Sequence, residues 1–157
     1  MMTLATRARL ADAPDLAVRS TLDESIRRQV WSLLAGLYPH QRQVERRATQ
    51  RFAFPQLLYL TPTRADGRTP SERTMVVVGK TLSEGGIGFF HQEPLVERRV
   101  IVSLSTHELK LVGFLLDVTW CRFTTQCWYE SGGRFLEVVE SPVKLVGRTD
   151  ARRPPGE

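Results

Sequence analysis

The hydrophobic positions along the chain change period once. Between residues 22 and 38 they fall at Ile26, Val30, Leu33, Leu34 and Leu37, a spacing that gathers them on one face of a helix. Thr21 with Glu24 has the form of a capping box, and Asp23 suits the positive end of the helix dipole, so the helix is predicted to begin there. Pro39 stops it. Trp31 and Tyr38 widen the apolar side. Such a stripe needs a partner, and packing on the chain's own domain is the expectation.

Residues 40–51, HQRQVERRATQR, carry no alternation and read as a connecting segment. Beyond them the pattern becomes short apolar runs punctuated by turn residues. FAFPQLLYL reads as a strand with an edge or bend at Pro55, and TPTRADGRTPSER as a loop. TMVVVGK, IGFFH and RRVIVSLS are further strands, and TLSEGG is a tight turn between the first two of these. The turn THE then leads into LKLVGFLLDVTWCRF, a long strand expected to bend at Gly113. QCWYE and RFLEVVE complete the set, joined by a turn at Ser131, Gly132 and Gly133. Six or seven strands within about ninety residues predict an antiparallel sandwich or barrel. Trp120, Trp128, Tyr129, Phe89 and Phe90 are expected in its core.

Composition narrows the picture modestly. With 41% hydrophobic and 25% charged residues the chain suits one globular domain. No apolar stretch approaches the ~20 residues a membrane helix needs, and the N-terminal residues lack the apolar segment of an export signal. The net charge is +5, and 19 of the 22 basic residues are Arg. Guanidinium groups favour phosphate-bearing partners through planar, two-pronged contacts, but in an Arg-rich chain only an arginine's place in a motif singles it out. Cys121 and Cys127 are expected to be reduced, facing one another across strands if Thr124 forms a hairpin tip. His40, His91 and His107 show no metal-ligand spacing, so no metal and no cofactor are expected. Ser83 has no His or Asp near it in sequence to form a nucleophile relay, and no Walker-type loop is present; catalysis is not expected.

Two segments carry candidate binding chemistry. Arg47 and Arg51, with Arg46 beside them, precede the first strand and could clamp phosphates or pair with guanine edges. The segment from Thr81 through Ser83 to Gly85 and Gly86 offers hydroxyls and a bare backbone that a flat ring can approach. Either half alone also reads as a solvated linker or an ordinary turn. In order, however, RRATQRF, VVVGKTLSEGGIGFF and YESGGRFLEV resemble the PilZ domain, with its RxxxR motif before the first strand and its [D/N]xSxxG motif on the barrel. The likeness covers residues 44–141.

That resemblance implies a mainly β protein: a six-stranded antiparallel PilZ-type β-barrel, here with an N-terminal α-helix. It further implies a receptor for the bacterial second messenger cyclic di-GMP, held by Arg47 and Arg51 with Arg46 as a helper, and by Ser83, Gly85 and Gly86. The sequence departs from the motif at Thr81, which stands where the family has Asp or Asn. The expected organisation is a flexible N-terminus (residues 1–19), the helix and linker (20–43), the barrel (44–141) and a flexible tail (142–157). A cytoplasmic location, a downstream protein partner, no DNA or RNA and no membrane insertion complete the expectation. Its rival is a degenerate PilZ-like adaptor that binds protein and not the nucleotide.

Overall fold

A computed structural model describes residues 13–38, 50–106 and 108–144, with side chains from residue 21 onward. Helix α1 (Ala13–Leu37) is followed by β1 (Phe52–Ala53), β2 (Leu57–Pro62), β3 (Met75–Leu82), β4 (Gly86–His91), β5 (Arg99–Ser105), β6 (Leu111–Phe123) and β7 (Tyr129–Val139). Every pairing is antiparallel, in the order β3-β2-β5-β6-β7-β4, and β4 returns to β3. The result is the six-stranded PilZ-type barrel with an N-terminal helix. Closure removes the sheet edges that an open sheet would leave unpaired.

β1 lies along the same strand, β3, as β2 does. The two are separated at Phe54–Gln56, where Pro55 supplies no donor and the ladder is patched by Phe54 N–H to Lys80 O and Gly79 N–H to Gln56 O. The expected bend at Pro55 is therefore a break that divides one barrel strand in two. Gly79 fits there because a Cβ would run into the Phe54 carbonyl oxygen.

The barrel core holds Leu58, Leu60, Val77, Phe89, Val102, Leu104, Phe114, Leu116 and Phe135, all buried. Helix α1 adds Ile26, Val30, Leu33 and Leu34 to the same cluster, so four of the five predicted face positions are buried. Each such side chain contributes about 1.5–3 kcal/mol of burial. Leu37, the fifth, is 39% exposed at the helix end. The helix starts earlier than the Thr21–Glu24 signature predicts, leaving that signature inside it. Pro14 stands in its first turn, where a missing N–H costs nothing. Part of the segment expected to be loose is thus helical.

Four further expectations need correction. Ser131, Gly132 and Gly133 do not make a turn: they lie inside β7, and the β6–β7 turn is formed at Thr124–Trp128. These glycines serve close approach, since a Cβ on Gly133 would be driven into the Asp117 carbonyl oxygen. Cys121 and Cys127 do not face each other, because Cys121 is paired with Ser131 while Cys127 sits in the turn at φ 63°. Pairing runs unbroken through Gly113, and the irregularities of β6 fall instead at Leu115/Leu116 and Val118/Trp120. Finally, Phe89 is fully buried as expected, but Trp120 is 37% exposed.

Candidate ligand cleft

Register brings the two motif segments together. Phe52 and Ala53 pair with Leu82 and Thr81, so Arg51 arrives beside Ser83 at the end of β3. The turn that follows is closed by its own groups. Ser83 N–H donates to Gly86 O at 2.9 Å, and Gly86 N–H donates to Ser83 Oγ at 3.2 Å. From the side, Phe135 N–H holds Gly85 O at 2.9 Å. Gly86 must be glycine, since any Cβ would be forced into the backbone of Gly133. At Gly85 a Cβ would meet only Ser83 Oγ, at 3.9 Å, leaving the backbone open to an incoming group.

Arg51, Thr81, Ser83, Gly85 and Gly86 line one cleft of about 350 Å³, closed on its far side by Thr119 and Trp120 of β6 and Arg134 of β7. Gly88 of β4 and Gly133 of β7 line it as well, beside Ile87. Gly88 leaves room for the Thr81 hydroxyl, which a Cβ there would approach to 3.1 Å. Gly132 lies beneath the Trp120 indole: a Cβ would fall 2.6 Å from three of the ring atoms. The tryptophan is thereby laid flat on the sheet as one wall.

The charge of the cleft is one-sided. Arg51 and Arg134 are both exposed, and no Asp or Glu is among its described lining residues. The nearest acid in sequence, Glu84, is directed away into α1, where it accepts from Trp31 Nε1 at 2.6 Å and meets Arg27 at 3.3 Å. Glu130, on the strand that supplies Arg134, is buried and bound by Lys80 and by Arg122. The Lys80 hydrogen bond, foremost, holds its carboxyl below the usual range despite burial. Among the described residues, what remains is two exposed guanidiniums, the hydroxyls of Thr81, Ser83 and Thr119, exposed backbone and an aromatic face. These suit an anion that also carries a flat ring.

A second cleft of about 670 Å³ contains Arg64, Arg98 and Arg99, but also Asp66, Glu97 and Asp117. Arg98 is paired with Asp117 at 3.0 Å. Asp66 is ionised with a pKa of about 2, set chiefly by the Thr69 hydroxyl bonded to it. Its charges answer one another, and it lacks the bias of the first cleft.

Of the residues singled out from sequence, Arg51, Thr81, Ser83, Gly85 and Gly86 converge, while Arg46 and Arg47 lie outside the described residues. Arg134 and Trp120 were not among them. Arg134 belongs to the GGRF run that carried the family resemblance, so a signal for it existed. Trp120 had none, because alternation alone does not foresee the register shift between Val118 and Trp120.

Among known proteins, no family model matches the chain, and no curated protein matches it. Two solved structures are similar. The inhibitor of motility MotI/DgrA of Bacillus subtilis is 15% identical, with 62% of this chain and 46% of that one covered at a TM-score of 0.42. MrkH of K. pneumonia in its apo state is 15% identical, with 61% of this chain and 46% of that one covered at a TM-score of 0.41. The chain thus spans less than half the length of either.

Proposed function

We propose that this protein is a PilZ-type receptor for cyclic di-GMP and that it works by binding and not by catalysis. The observation that supports this most is the meeting of Arg51 with Thr81, Ser83, Gly85 and Gly86 in a single cationic cleft, from segments some thirty residues apart in sequence. Arg51 and Arg134 would grip phosphate oxygens or the guanine edge, and Trp120 would stack on a purine face. Backbone at Gly85 would admit the base closely. Arg47, with Arg46 beside it, would close from the segment preceding Arg51. A ligand that bridges this segment and the barrel shifts the protein toward the closed arrangement, and that population shift would be read by a protein partner in the bacterial cytoplasm.

One observation favours the rival adaptor. Thr81 offers a neutral hydroxyl where a carboxylate or amide would accept from guanine, a difference on the order of 1–3 kcal/mol or five- to a hundredfold in affinity. The remaining motif residues are intact, so weakened binding is the better reading.

Calorimetric titration with cyclic di-GMP, using GTP as control, tests it. Selective binding that the double variant Arg47→Glu, Arg51→Glu loses while keeping its unfolding temperature is the expected result. Absence of binding at high ligand would overturn the receptor reading in favour of the adaptor.

A further inference from the structure

The motif turn has two sides, and only one of them faces the cleft. Ser83, Gly85 and Gly86 line the cleft, whereas Glu84 between them points into helix α1. Its side chain is 13% exposed, and both carboxylate oxygens are used. Trp31 Nε1 donates to one at 2.6 Å, and Arg27 Nε lies 3.3 Å from the other. Trp31 also meets Phe52 edge-on, ring centroids 5.7 Å apart, and Phe52 is the residue after Arg51. Tyr38, at the end of the helix, packs on the same Phe52 and donates to Ala53 O at 2.7 Å.

α1 therefore braces the cleft from behind at two places, the strand that directly follows Arg51 and the turn that carries Ser83. Between helix and turn a smaller cleft of about 210 Å³ is lined by Asp23, Arg27, Glu84, Gly85 and Arg134 among others, so Gly85 and Arg134 border both spaces. Moving the helix would shift the relative positions of Arg51, Ser83 and Gly85, the groups that must act on one ligand together.

We infer that Glu84 and Trp31 are positioning residues for the ligand cleft, making the docking of α1 and the occupation of the cleft one coupled equilibrium. This rests on the receptor reading above. Neither residue touches the ligand. Glu84 fixes the turn, Trp31 fixes the turn and Phe52 at once, and the helix transmits the state of the site to whatever contacts its outer face. By reciprocity, a partner that draws α1 off the barrel lowers ligand affinity by the factor by which the ligand resists that withdrawal.

The test titrates cyclic di-GMP into the full chain and into Glu84→Ala, Glu84→Gln and Trp31→Phe, and follows amide exchange of α1 with and without ligand. Coupling of ordinary size predicts that Glu84→Ala and Trp31→Phe weaken binding about tenfold. Glu84→Gln, which keeps an acceptor for Trp31, should recover much of that loss. Ligand should also slow exchange across α1 in the wild-type protein, which needs no variant to fold. A purely structural role would lower the unfolding temperature and leave the dissociation constant alone. Wild-type binding with unchanged α1 exchange, or with Glu84→Ala within twofold of wild type, would overturn the inference. A silent wild-type titration would instead overturn the receptor reading, and this inference with it.

Discussion

Replacing Gly132 by Ala should cripple the cleft while sparing the barrel. The new Cβ would stand 2.6 Å from Cε2, Cζ2 and Nε1 of Trp120, against the ~3.5–4.0 Å of a normal contact. The indole must therefore lift by about 1 Å or swing away, and it is free to do so because the residue is 37% exposed. The neighbouring Gly133 and Gly86 differ, since a Cβ there would meet backbone that cannot move aside. Those replacements should unfold the protein or disrupt β4–β7 pairing. Loss of a stacking wall is worth about 1–3 kcal/mol, so Gly132→Ala should bind cyclic di-GMP roughly five- to a hundredfold more weakly. Trp120→Ala should lose a similar amount, and the double variant should lose no more than either alone, because both remove the same wall. Calorimetry on the three variants measures this, with thermal unfolding as the check on the fold. Gly132→Ala binding as tightly as wild type, or additive losses in the double variant, would refute the role given to Trp120.

Thr81→Asp should tighten binding if the missing acceptor limits affinity; an unchanged titration would show that Thr81 suffices. Glu130 is held below its ordinary range in the folded protein, chiefly by its hydrogen bond to Lys80, so its stabilisation is complete above the unfolded value near 4.5 and fades as pH falls through the lower folded value. Glu130→Gln should consequently lower the unfolding temperature near neutrality and narrow the gap to wild type in acid, as thermal melts across pH would show. His91 has its pKa lowered mainly by burial, with Glu93 O against Nδ1 and Ser131 Oγ 2.7 Å from Nε2. Its unfolded form takes up a proton as pH drops below about 6.5 while the folded form does not, so stability should fall from there downward, and His91→Gln should flatten that limb of the melting profile.

Much of this architecture was legible beforehand because period and turn chemistry are local. The face of α1 follows from the spacing of Ile26, Val30, Leu33 and Leu34, and Arg51, Thr81, Ser83, Gly85 and Gly86, which line the candidate cleft, belong to the two short motif segments. What escaped depended on contacts between distant segments. Ser131, Gly132 and Gly133 have the composition of a turn, and only the proximity of Asp117 and Trp120 across the ladder explains them as strand. The exposure of Trp120 likewise follows from a bulge in β6, which no hydrophobic pattern announces. The helix begins at Ala13, ahead of the Thr21–Glu24 signature, because residues of a capping box are equally compatible with a helix interior.

The break at Pro55 has an evolutionary side as well. Because β1 is a two-residue piece set apart from the rest of its strand, Arg51 is held beside the barrel, among the described residues, by two paired positions and the underside of α1. On the receptor reading proposed above, a change at Arg51, which is exposed, would alter which anion is held with little toll on folding, since Phe52 and Ala53 keep their pairing with β3. A receptor of the proposed kind would lose its ligand and keep its scaffold by drift at that one position.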